Sequence, residues 1–224
     1  MRNEVNVRMK EMDLNVEKKI KEIKKSPARE VVEWFLCIIV AFVLAVVIKY
    51  FLFTPTLVQQ TSMTPTILDG ERVLINRVVR TFKLPIYRGD IITFEKPEGT
   101  ENGLGVYSEN DSVEYKLCHD VLEIGKVSFI KRVIGVAGDH VLINKGKVYV
   151  NDMELEEVYL NGIETPRRGD YCDIEVPEGY IFVMGDNRGG SSDSREFGCI
   201  PLNKVEGRVT YRIWPLSAFG KIDK

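Results

Sequence analysis

The chain has 224 residues, 31 Lys/Arg against 33 Asp/Glu, and a formal net charge of −2, enough for one substantial core but not for two large domains. Charge is uneven: residues 1–30 carry nine Lys/Arg against six Asp/Glu, residues 54–224 carry 21 against 26. That acidic excess offers no basic footprint for nucleic acid, and it sets the two ends in different surroundings.

Residues 1–30 form a charged leading segment. Met9, Met12, Val16, Ile20 and Ile23 recur at helical intervals before Pro27, so residues 1–27 read equally as a surface-lying amphipathic helix or as a solvated basic tail. Trp34 to Ile48 is then apolar for fifteen residues. A bilayer core of about 30 Å needs about 20 residues at 1.5 Å each. Val31, Val32 and Tyr50-Phe51-Leu52-Phe53 supply the rest, with Glu33 and Lys49 reaching the interfaces, so one spanning helix is expected over 31–53. The Lys/Arg excess before it places the N-terminus in the cytoplasm. The charged lead is long for a cleavable leader, and Thr54-Pro55-Thr56-Leu57 follows where a small-X-small site would stand. The span therefore reads as a retained anchor.

From Thr54 to residue 224 the pattern changes to short strand-like runs: Arg72–Asn76, Asp90–Phe94, Phe129–Val136, His140–Asn144, Lys147–Asn151, Tyr180–Met184 and Gly207–Trp214. Glycine, proline and Asx residues separate them, which predicts a mainly β, compact antiparallel or barrel-like domain tethered by the single helix. Asn144-Lys145-Gly146 is a hairpin turn signal. The segments 97–128 and 152–179 read as excursions between strands.

Cys37 falls in the apolar run, which leaves Cys118, Cys172 and Cys199 as an odd set with no assignable disulfide framework. Whether Cys118 and Cys172 pair is open. The spacings hold neither CxxC nor HExxH, so neither a metal nor another cofactor is called for.

Three segments carry chemistry. Ser62-Met63-Thr64-Pro65-Thr66 follows the span by about nine residues, and the proline keeps Ser62 out of a long helix and in a turn. A serine hydroxyl is a poor nucleophile unless a base stands beside it. Lys131 lies in Phe129-Ile130-Lys131-Arg132-Val133, where strand alternation puts Phe129, Lys131 and Val133 on one apolar face. Burial favours the neutral amine, and depressing its pKa by about two to three pH units costs roughly 3–4 kcal/mol. Arg132 points to the other face and cannot replace it, because guanidinium does not deprotonate. Residues 185–198, from Gly185-Asp186-Asn187-Arg188 to Ser191, Asp193 and Arg195, suit a hydrogen-bonded loop that braces a neighbouring site.

Together with Arg88-Gly89-Asp90-Ile91-Ile92-Thr93-Phe94, these segments resemble, in order, those of bacterial type I signal peptidase, over roughly Leu57 to Gly198. The resemblance implies a membrane-bound serine endopeptidase that cleaves signal peptides from exported preproteins after small-X-small sites, close to the translocation machinery, with its catalytic domain outside the cytoplasm. It implies Ser62 as nucleophile and Lys131 as general base, with Ser191 bonding the lysine and Asp193 ordering the site through Arg195. Gln60 stands where some relatives place a serine that serves the oxyanion. Val58, Met63, Ile67, Val73 and Ile130 are the implied walls for the peptide, and Thr93 replaces an apolar wall residue of some relatives. Two other readings compete: a soluble self-cleaving repressor-type peptidase of related fold, and an inactive membrane-tethered module that binds secreted peptides uncut.

Overall fold

The apolar run forms a helix because, away from water, every backbone N–H and C=O must find its partner within the segment. In the computed structural model, which describes residues 8–10, 12–16, 27–107 and 128–222, α1 covers Pro27–Phe51. Residues 29–51 of it are long and apolar enough to cross a membrane, and Trp34, Phe35 and Phe42 stand exposed on its surface. The helix ends two residues short of the expected span. Phe53 instead opens strand β1 (Phe53–Leu57), because its backbone pairs with Asn76; apolar composition alone does not separate a helix end from a strand start. Residues 8–10 and 12–16 are helical with Met9, Met12 and Val16 exposed, while Ile20 and Ile23 lie outside the described residues.

Two compact units divide the chain, Met1–Val46 and Val47–Lys224. The second holds an eight-stranded antiparallel sheet built from β1, β2 (Arg72–Asn76), β3 (Ile91–Glu95), β6 (Ser128–Val136), β11 (Tyr180–Met184), β12 (Ile200–Pro201), β13 (Val205–Trp214) and β14 (Gly220–Lys221). Their order is β1-β2-β13-β3-β6-β11-β12, with β14 on β13. The mainly β antiparallel expectation holds, as an open curled sheet with β1 and β12 at its ends.

Curvature comes from register shifts at Val205/Gly207, Val209/Tyr211 and Arg212/Trp214 along β13, since a bulge bends and twists its strand. At Gly207 a Cβ would stand 2.6 Å from Ile75 Cγ2 and 2.7 Å from Asn76 O; only glycine lets β13 run this close to β2. A second sheet, β10-β7-β8-β9, is built on the hairpin of β7 (His140–Asn144) and β8 (Lys147–Val150), with β9 (Met153–Glu154) and β10 (Asp173–Glu175) at its edges. Lys145 and Gly146 at its turn both have positive φ, as a two-residue hairpin turn requires. The excursion 97–128 contains a further hairpin, β4 (Gly99–Glu101) with β5 (Leu104–Val106). Cys118 lies outside the described residues, and Cys172 is buried.

β6 is the strand that matters for function. Its two faces feed different cores: Phe129 and Val133 join Ile92, Phe94, Ile181 and Val183, whereas Ile134 joins the cluster of Val141, Ile143 and Phe182. β3 pairs along Ser128–Arg132, but β11 meets β6 only from Arg132 to Val136. Ser128–Lys131 therefore has an open edge among the described strands.

Candidate active site

Ser62 follows β1 in a tight turn closed by Thr64 N–H to Thr61 O (3.2 Å) and Ile67 N–H to Met63 O (2.9 Å). Met63 and Ile67 are fully buried, which anchors the turn on both sides of its proline. The loop after β11 holds it from the other side. Asn187 donates its backbone N–H to Ser62 O (3.0 Å) and its side-chain amide to Thr61 O (3.2 Å). A Cβ at Gly185 would lie 2.5 Å from Ser62 O and 2.2 Å from Ser191 Oγ, so the approach of this loop to Ser62 depends on glycine.

Lys131 brings its Nζ to 2.8 Å from Ser62 Oγ, with a second contact to Ile130 O at 3.1 Å. Its side chain is 1% exposed, and Nζ lies 4.8 Å from the centre of the Phe129 ring. Burial pushes the lysine pKa down to about 8, while the carboxylates of Asp193 and Asp186 pull it partly back up. Alternation along β6, by which Lys131 shares the face of Phe129 and Val133, is thus the cause of both its reach and its lowered basicity.

The other basic residues nearby are handled differently. Arg132 points to the opposite face and donates to both oxygens of Asp186, at 2.9 and 2.7 Å; Asp186 also accepts from Thr66 Oγ1 at 2.5 Å. Arg195 grips Asp193 through Nε and Nη2, both at 2.8 Å, and donates to Arg188 O at 2.8 Å. Asp193 in turn accepts from the Gly185 N–H (3.0 Å). Arg188 reaches Gly185 O (3.1 Å) and Glu157 (3.0 Å). Each of these carboxylate pairs locks a segment of the loop that carries Asn187.

Of the residues expected from the sequence, Ser62 and Lys131 meet, and Asp193 and Arg195 brace the loop beside them. Ser191 is buried near Gly185, but its Oγ has no hydrogen-bond partner among the described residues; it does not bond Lys131. Gln60 is exposed next to the serine. Val58, Met63 and Ile130 line a cleft of about 300 Å³ with Ser62, Ile75, Thr93, Ser128, Arg77 and Glu206. Ile67 and Val73 do not line it. They are packed with Met63 and Val58 in one buried cluster and support the wall from behind. Asp186, Asn187 and Arg188 belong to the polar segment 185–198, whose composition marks a bracing loop but not the part each residue plays, whereas Glu157 carries no local signal.

Ser62 also borders a second cleft of about 430 Å³ with Lys131, Phe129, Gln59, Gln60, Asp69 and Ser192. The first cleft collects the Ile130 and Ser128 face of β6, the second the Phe129 and Lys131 face. A hydroxyl against a buried amine, between two clefts at an open strand edge, can attack an extended peptide without metal or histidine.

The family model described as "Signal peptidase, peptidase S26" matches residues 31–214. "Signal peptidase IB" of Staphylococcus aureus strain COL is 34% identical over 207 residues, spanning 85% of this chain and 93% of that protein. "Signal peptidase I" of Bacillus licheniformis is 34% identical over 199 residues, spanning 85% and 92%. Among solved structures, a signal peptidase I from Enterococcus faecalis V583 matches at 28% identity with a TM-score of 0.38, over 56% of this chain and 97% of that one.

Proposed function

This chain belongs to the signal peptidase family, peptidase S26, and we propose that it cuts signal peptides from exported preproteins with Ser62 as nucleophile and Lys131 as general base. The observation that carries the dyad is the 2.8 Å contact between Lys131 Nζ and Ser62 Oγ. As a neutral amine, Lys131 accepts the serine proton while Oγ attacks the scissile carbonyl. The resulting ammonium then donates that proton to the leaving amine as the acyl-enzyme forms. Water repeats the cycle in reverse to release the signal peptide. A neutral lysine needs its burial, and Phe129 and Ile92 supply it.

The oxyanion that forms at the carbonyl is assigned the Ser62 backbone N–H and the Gln60 side-chain amide, donors aimed at charge present only in the tetrahedral intermediate. An extended peptide beside Ser128–Lys131 turns the side chains at −1 and −3 to the same face. That face is the first cleft, whose Val58, Met63 and Ile130 walls select small residues. Because Lys131 must reach the leaving amine, the mature chain departs through the second cleft.

Residues 31–51 cross the bilayer in this reading, with residues 1–30 cytoplasmic and 54–224 outside. Enzyme and membrane-embedded signal peptide then share one plane, near the site of translocation. This raises their effective concentration without further contacts. The test is cleavage of an Ala-X-Ala peptide by detergent-solubilised full-length protein. Ser62→Ala and Lys131→Met are each expected to lower the rate by about a thousandfold or more with circular dichroism unchanged. Unimpaired cutting by either variant rejects the dyad.

A further inference from the structure

Between β9 and β10 the chain makes a short 3-10 turn, Val158–Leu160, entered by Glu157. Leu160 is buried. The flanks of the turn are pinned to the hairpin of β7 and β8, by Leu155 N–H to Val148 O and Thr165 N–H to Gly146 O, both at 2.8 Å. Two side chains of this segment, Glu157 and Tyr159, are thereby set against two buried arginines.

Glu157 takes Arg188 on both oxygens: Nη1 donates to Oε2 at 3.0 Å, and Nη2 donates to Oε1. Thr165 Oγ1 accepts from the same Nη1. Tyr159 donates its hydroxyl to Glu157 Oε1 at 2.8 Å, and its ring centre lies 3.7 Å from the Arg132 guanidinium carbon. Burial, and then the Glu157 carboxylate, push the Tyr159 pKa up, so the hydroxyl stays a donor at neutral pH. Arg132 follows Lys131 on β6. Arg188 follows Asn187, whose backbone N–H and side-chain amide grip Ser62 O and Thr61 O. One segment thus ties the strand of the lysine to the loop that holds the serine, and Glu157 and Tyr159 line neither cleft at Ser62.

We propose that Glu157 and Tyr159 are positioning residues for the cleavage reaction, a joint between Arg132 and Arg188 that keeps Ser62 Oγ within reach of Lys131 Nζ. The inference rests on the reading of Ser62 and Lys131 as the dyad. Asp186 already ties Arg132 to the loop on one side of Asn187. The joint adds a second tie on the other side, at Arg188. A loop held at one point can pivot about it, whereas Asn187 held on both sides keeps its grip on Ser62 O in one orientation. Misplacement of a reacting group by about 1 Å costs about a hundredfold in rate, even when its cause lies away from the chemistry.

The experiment follows cleavage of an Ala-X-Ala peptide against pH by full-length wild type, Glu157→Ala and Tyr159→Phe in detergent. Tyr159→Phe keeps the ring on Arg132 and removes only the hydroxyl tie. Glu157→Ala is expected to lower kcat about thirtyfold and Tyr159→Phe about threefold. KM should stay within about twofold of wild type in both, since neither residue meets the peptide. The midpoint of the profile should remain at the Lys131 value of about 8, with only the plateau lowered. A merely structural role would loosen the fold, hydrate Lys131 and move the midpoint up toward 10.5. That result overturns the inference, as does a loss carried by KM alone or a kcat within about twofold of wild type in Glu157→Ala. Should Glu157→Ala fail to fold, Tyr159→Phe decides on the same readouts, and an unchanged kcat overturns the inference. Lys131→Met, run alongside, separates the two levels: if it cuts like wild type, the dyad falls and the joint with it, and if it is inactive while the other two variants match wild type, only the joint falls.

Discussion

Lys131 and Arg132 are neighbours on one strand, both cationic types, both almost without solvent exposure, yet the two faces of β6 treat them in opposite ways. Arg132 meets a carboxylate on two bonds, stacks 3.7 Å from the centre of the Tyr159 ring, and donates to Gly89 O. Lys131 meets a hydroxyl and a carbonyl, with Phe129 beside it. A buried cation given a full counter-charge serves geometry. One given only neutral partners gives up its proton near neutral pH and serves chemistry.

The largest effect comes from making the first face resemble the second. Lys131→Arg keeps a cation in place but cannot accept the serine proton, so peptide cleavage should fall about a thousandfold or more. Activity within tenfold of wild type in a peptide assay breaks the contrast. Removing the counter-charge from the other face should act on stability instead. Asp186→Asn leaves the Arg132 guanidinium buried without its carboxylate and is expected to cost about 3 kcal/mol in a denaturant titration; a loss below about 1 kcal/mol would mean that the pair is not the brace. The smallest effect marks the limit of the argument. Arg88 pairs with Asp139, but Arg88 is 39% exposed, and Arg88→Ala should change stability by less than about 1 kcal/mol.

The same strand shows what the sequence discloses and what it withholds. Alternation alone puts Lys131 with Phe129 and Val133, and the strands Arg72–Asn76, His140–Asn144 and Tyr180–Met184 stand where their periodicity predicts. His140–Asn144 alternates in burial, Tyr180–Met184 is a continuous apolar run buried on both faces, and turn residues bound each segment. β1 was hidden because Phe53 continues the apolar run and Pro55 demotes the strand signal, although an edge strand tolerates proline. β4 and β5 lie in a polar stretch without periodicity, their turn marked by Asn102 and Gly103 at positive φ.

At the site, Ser62 and Lys131 were legible from motif and local chemistry. The partners of the arginines were not. Arg132 and Asp186 are 54 residues apart, and Glu157 sits in an excursion 31 residues before Arg188; such pairs are made by the fold and leave no mark on local spacing. The family resemblance implies Ile67 and Val73 as wall residues, but packing puts them in the core behind Met63.

The lysine itself can be watched. With lysine labelled at the ε carbon and the Lys131 resonance identified by its loss in Lys131→Met, an NMR pH titration of the detergent-solubilised protein reads its protonation directly. The expected midpoint is about 8, against the ordinary 10.5. Because the folded-state value is lowered, neutral amine accumulates as pH rises, so the cleavage rate should climb about tenfold per pH unit below the midpoint and level off above it. A midpoint at or above 10.5 would leave no base at neutral pH and would contradict the assignment of Lys131.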